Sequence, residues 1–215
     1  MNTNKLLSVS LSALLCLFSA TGNTQVKLGY KGGDYSENET EVLRNASCYT
    51  QSAAVITALV KAGAKINAND IGREESPIFY AARCQNRITI KNLAALGANV
   101  DSFNRWGRTP LMVAAEQGSD LTRIADAVAT LDALLAAGAD INKANPYGNV
   151  HEDEQGMTAL MSAAKTNASA ELVMLLINAK PVAANKNLVD SQGHNALWFA
   201  ENYNKSRPEI AAALK

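Results

Sequence analysis

The stretch RWGRTPLMVAAEQG, Arg105–Gly118, decides the fold. Gly107 can adopt φ > 0 and so close a tight turn. Thr109 is a helix N-cap and Pro110 suits the first helical position, because a helix's first N–H has no internal partner. The apolar run from Leu111 with its paired alanines then makes a short helix that a neighbour can approach closely. Read alone, this is a turn feeding a helix.

The same design recurs along the chain. SPIFYAARCQ from Ser76, TALMSAAKTN from Thr158 and NALWFAENYN from Asn195 each place a cap residue before an apolar helix with small residues. A second pattern follows the first: ALVKAGAKIN (58–67), NLAALGANVD (92–101) and ALLAAGADIN (133–142). Each ends a helix with Gly63, Gly97 or Gly138 in the place where the backbone turns left-handed. Each then continues through Ala to a β-branched residue and Asn or Asp. The interval from Ile66 to Val100 is 34 residues, and a fixed period of this size is the signature of a stacked repeat.

These residues resemble the ankyrin repeat, most closely over Gly107–Val113 and Leu134–Asn142. The resemblance covers about residues 40–215 and implies an all-α solenoid of about five helix-turn-helix units joined by hairpin turns. The units are placed at about 40–68, 69–101, 102–142, 153–187 and 188–215. The first has a degenerate first helix, and the fifth ends in a short second helix from near Pro208. The family's His after Thr-Pro-Leu is replaced by Phe79, Met112, Met161 and Trp198, which points to apolar packing beneath the turns. Met112, Met161 and Met174 are read as core filler, and Trp198 with Phe199 as the cover of the last layer.

Two intervals depart from the repeat. Thr109 to Gly138 is 29 residues where Ser76 to Gly97 is 21, so the third unit has eight extra residues in its second helix or the connection to it. Ile141 to Thr158 is 17 residues where Val100 to Thr109 is 9, which makes 143–156 a protruding loop. Long loops in a regular array are where binding residues concentrate.

The chain's ends and charge set its context. Residues 1–22 read as a cleaved secretory leader: Lys5, an apolar run, then Ala20, Thr21 and Gly22. The run is shorter than the roughly 20 residues that span a bilayer, and the expected compartment is the periplasm or the medium. Lys plus Arg equals Asp plus Glu at 20 each, so no electrostatic footprint for nucleic acid is present, and no stable membrane insertion is expected. Loss of the leader removes Cys16 and leaves Cys48 and Cys84. Placing Ile66 on Val100 sets both near the same end of the first helices of adjacent units. Stacked helices lie about 8–10 Å apart and a disulfide needs Cα atoms within roughly 7 Å. A bridge and two buried thiols are both compatible with this; an oxidising compartment favours the bridge.

No catalytic signature appears: no His-Glu-x-x-His, no phosphate-binding glycine loop, no nucleophile elbow. The acidic cluster His151–Glu154 lacks the alternating oxygens and turn glycine of a calcium loop. No cofactor, metal or enzymatic activity is therefore expected. The resemblance instead implies a protein partner bound by turn tips and by the exposed side of the first helices. Carried onto this chain, those positions are Arg73, Glu75, Phe103, Arg105, Trp106, Arg108, Tyr147, Glu154, Met157, Gln192 and His194 on the turns. The helix ends add Arg83, Glu116, Gln117, Lys165, Asn202 and Tyr203. Trp106 between arginines stands out, since Trp and Arg are enriched among interface hot spots. The expected role is that of an exported monomer that inhibits or sequesters a partner, as an immunity protein does with a toxin such as a secreted phospholipase. A scaffold linked to peroxide resistance is the alternative.

Overall fold

The computed structural model describes residues 39–117, 121–147, 154–166 and 169–215. The leader at 1–22 lies outside the described residues, as do His151, Glu152 and Asp153. The helices start where the caps dictate. Thr109 accepts a hydrogen bond from the Met112 N–H, and Thr158, Ser169 and Asn195 do the same for Met161, Leu172 and Trp198. Each bond satisfies one of the donors that a helix N-terminus leaves unpaired. Pro77, Pro110 and Pro208 occupy first helical positions.

Ten α-helices and no strand occur among the described residues, an all-α repeat solenoid. The first helices of the units are α1 (Glu39–Tyr49), α3 (Pro77–Arg83), α5 (Pro110–Glu116), α7 (Ala159–Lys165) and α9 (Ala196–Tyr203). The second helices are α2 (Ala53–Lys61), α4 (Arg87–Ala95), α6 (Ile124–Ala136), α8 (Ala170–Ile177) and α10 (Pro208–Leu214). Contacts run α1–α3–α5–α7–α9 in one row and α2–α4–α6–α8–α10 in the other. The paired alanines, Ala81–Ala82, Ala114–Ala115 and Ala163–Ala164, are fully buried between neighbouring first helices, where a larger side chain would force the rows apart. Leu93, Leu131, Leu134, Leu172 and Leu176 fill the layer between the rows.

The helix stops behave as their glycines dictate. Gly63, Gly97 and Gly138 have φ of 112°, 92° and 92°, and the N–H of the next alanine returns to the carbonyl of Leu59, Leu93 or Leu134. The Asn or Asp that closes each second pattern stitches units together. Asn67 accepts from the Asn99 N–H at 2.8 Å, Asp101 from Asp140 at 3.0 Å and Asn142 from Asn185 at 2.8 Å.

Three sequence expectations are corrected. α1 is not degenerate as a helix; at 11 residues it is longer than α3, α5, α7 and α9, because Val42, Leu43 and Ala46 form a complete buried stripe. Met174 is 42% exposed on α8: in the nearly all-apolar run AELVMLLI the buried face belongs to Leu172, Val173 and Leu176. Of the expected pair, Trp198 is only half-buried, whereas Phe199 is buried with Ala196, Ala200 and Ile210. The other replacements of the family's His behave as apolar packing: Phe79, Met112 and Met161 are all buried. The extra length of the third unit is a turn of 3-10 helix, Leu121–Arg123, running into the 13-residue α6.

Cys48 of α1 and Cys84 at the end of α3 are joined by a disulfide with Cα atoms 5.1 Å apart. Beside it, the buried Asn86 caps α4 and donates to the carbonyls of Ser47 and Thr50. The first two units are thus tied covalently and by hydrogen bonds at one end.

Candidate functional site

The hairpins that precede α3, α5 and α9 are each organised by an Asn or Asp five or six residues before the cap. Asp70 accepts from the N–H groups of Arg73 and Glu74, Asn104 from Trp106 and Arg108, Asp190 from Gln192 and His194. These are side-chain mimics of a turn. Burial pushes the Asp70 carboxyl up, but these N–H donors, the Tyr80 hydroxyl and the Arg44 charge together hold it below the usual carboxylate range. Neighbouring hairpins are also linked: the Arg105 N–H reaches the Arg73 carbonyl at 3.0 Å, and the Asn145 amide donates to the Trp106 carbonyl at 2.8 Å. Asn104, Asn145 and Asp190 were not among the expected site residues. Their signal in the sequence is a recurring Asn or Asp upstream of the helix cap.

On this frame the charged side chains of three units form a ladder that ends on Tyr203 of a fourth. Glu75 pairs with Arg83 at 2.5 Å and accepts from the Asn104 amide at 3.0 Å. Arg108 gives one nitrogen to Glu116 at 3.0 Å and holds Glu154 with Nε and Nη2 at 2.7–3.2 Å. Lys165 lies 3.5 Å from Glu154, and its ammonium sits 6.0 Å from the Tyr203 ring centre. Bidentate, charge-assisted contacts of this kind fix orientation as well as adding energy. Burial pushes the Glu116 carboxyl up to about 7: Arg108 pulls it down, but that guanidinium is shared with Glu154, whose charge pushes Glu116 up again. Burial pulls Arg108 down, but the charges of Glu116, Glu154 and Glu75 outweigh it and hold the guanidinium above its ordinary value.

The ladder borders two recesses. One of about 110 Å³ lies between Arg108, Glu116, Glu154, Ser162 and Lys165. The other, of about 330 Å³, is lined by Arg73, Arg83, Asn104, Trp106, Arg108 and Val113. Trp106 is half-buried in its wall, with the Arg105 guanidinium 5.7 Å from the ring centre and held by the Gly72 carbonyl at 2.6 Å. A half-buried tryptophan beside a cation provides a large contact surface, and its two side-chain torsions leave little entropy to lose.

The structure divides the expected site residues. Arg73, Arg83, Trp106 and Arg108 come together at the larger recess, with Arg105 beside it. Glu116, Glu154 and Lys165 join through Arg108 at the smaller one. Phe103 and Tyr147 form a separate pair, 6.1 Å between ring centres, with Lys143 5.3 Å from the Phe103 ring. His194 stacks on Trp198 at 3.5 Å near the far end, where Tyr203 is exposed. Gln117 and Gln85 are tied together by the Gln85 amide on the Gln117 carbonyl. Glu75, Glu154 and Met157 are not surface contacts. All three are buried, the two carboxylates because their partners lie on the neighbouring side of the same ladder, and Met157 because its hairpin folds back on Asn145.

Among the described residues no group of three or more His, Cys, Asp or Glu could hold a metal ion, and no helix is long and apolar enough to cross a membrane. The sequence model of the family described as ankyrin repeats (3 copies) matches residues 43–145 and again 125–215. A protein of Homo sapiens named mitochondrial disaggregase is 31% identical over 101 residues, which make up 46% of this chain and 13% of that protein. The chain thus resembles a small part of that relative's length. With the repeat pattern matched from residue 43 to 215 and both rows of helices in place, the chain belongs to the ankyrin-repeat family.

Proposed function

We propose that this chain is an exported binding module that sequesters one protein partner on the face made by its hairpin tips and the ends of its first helices. Ankyrin repeats imply protein–protein interaction; the recess around Trp106 is what favours a particular face. There an aromatic and two arginines, Arg73 and Arg108, stand on hairpins already locked by side-chain and backbone hydrogen bonds, with Arg83 at the end of α3 beside them. A preorganised surface loses little entropy on binding, which is where affinity is gained. The module acts by occupancy, with no chemistry of its own. Inhibition of an exported toxin, as by an immunity protein, is one form of such sequestration, and the apolar leader with its small-residue end supports export to the periplasm.

The test is capture of the tagged, full-length protein from its native host, followed by mass spectrometry. A single stoichiometric partner, lost when Trp106→Ala is captured instead, is the expected result. A diffuse set of proteins unaffected by that substitution would favour a scaffold and count against sequestration.

A further inference from the structure

The ladder sorts its charges by depth. Glu75 is 1% exposed while its partner Arg83 is 35% exposed. Glu116 and Glu154 are 16% and 11% exposed against 30% for Arg108. The carboxylates lie beneath and the guanidinium groups above, so a nominally balanced set of residues shows solvent its positive side. At the larger recess this is complete: its lining holds three arginines, Trp106, Asn104 and Val113, and no carboxylate. The exposed carboxylate of the same hairpin, Glu74, is outside that lining. Glu75 takes one nitrogen of Arg83, which fixes that guanidinium and leaves the other N–H donors of its planar, five-donor fork facing out, whereas Arg108 is committed through all three nitrogens to Glu116 and Glu154.

We propose that this recess takes an acidic segment of the partner protein, its carboxylates paired with Arg73 and Arg83 and its backbone or an apolar side chain laid against Trp106. The proposal rests on the sequestration reading above and names the chemistry of the partner. Planar forks match carboxylates in pairs. The three arginines line a recess of about 330 Å³ on a chain whose basic and acidic residues balance at 20 each. That limits the occupant to a short stretch and is unlike the extended basic stripe that nucleic acid requires.

Titration of the mature protein with a capped hexaglutamate peptide, with hexalysine and hexathymidylate as controls, tests this through Trp106 fluorescence and amide chemical shifts. Hexaglutamate is expected to bind, to be released by salt, and to shift amides of residues 73–83 and 104–108. Arg73→Glu, at an exposed side chain, should weaken it about tenfold, since like charges then face each other. Trp106→Phe should remove the fluorescence change while leaving the shifts. Equal binding of hexalysine or hexathymidylate, shifts elsewhere, or indifference to Arg73→Glu overturns the proposal. A captured native partner that depends on Trp106 but ignores Arg73→Glu overturns the acidic segment and leaves sequestration standing. Failure to capture any partner, with hexaglutamate bound at the recess, does the reverse.

Discussion

Gly138 has φ of 92° with no heavy atom within 4 Å of where a Cβ would stand, so any effect of substitution there comes from the backbone alone. Gly138→Val should destabilise the array by about 1–2 kcal/mol, the strain of a left-handed L-residue and somewhat more for a β-branched one; an unchanged urea midpoint would contradict the helix stop. At Gly107 both terms act, because a Cβ would collide with the Asn145 amide. Glu116 gives a prediction of different sign. Its carboxyl titrates at about 7 in the fold against an ordinary 4.5, so the fold favours the protonated form. That contribution is fully present below about pH 4.5 and is lost as pH rises through about 7. Faced by Arg108, Glu154, Arg83 and Lys165, the group should lower stability across this window by on the order of 1–3 kcal/mol. Glu116→Gln should flatten that slope when urea midpoints at pH 5 and pH 8 are compared; an identical slope would show that burial does not govern this carboxyl. What was legible in the sequence at this scale was backbone chemistry. Glycines, caps and first-turn prolines act on their own neighbours, and they stand where their local rules put them, except that Ser76 holds the N-cap position of α3 without a side-chain cap bond. The depth of Glu75 and Glu154 was not legible, because it is set by Arg83 and Arg108 across the ladder.

Single elements are held by one another more than by propensity, since helices of seven to 13 residues are too short to persist alone. The disulfide between α1 and α3 spans a sequence separation of 36, and closing a loop of that size stabilises by about 2–4 kcal/mol. The double variant Cys48→Ser, Cys84→Ser should therefore lower the unfolding free energy by that amount, most of it felt in the first two units. Two free thiols by mass and labelling in exported protein, or no change in the variant, would contradict it. The face that an element buries was only partly legible. The alternation along α1 is set by Val42, Leu43 and Ala46, yet its departure from the repeat pattern disguised a complete helix. In α8 almost every residue is apolar, so periodicity could not say that Met174 faces out while Leu172, Val173 and Leu176 face in.

Across the whole molecule, the 34-residue spacing between Ile66 and Val100 carried the architecture, since a repeat that recurs in phase must stack to bury its apolar face. The proposed binding face followed less directly. The chemistry at Trp106 was visible as residue types, while its meeting with Arg73 and Arg83 depends on hairpins of adjacent units being bonded at Arg105 and Arg73. The central claim is that this face, and not the second-helix face, receives the partner. Site-specific photo-crosslinking in the native host tests it most directly, with benzoylphenylalanine placed at Trp106 or at the exposed Lys91 of α4. One crosslinked protein species from position 106 and none from position 91 is the result the account predicts; crosslinking from position 91 alone, or the same products from both, would contradict it.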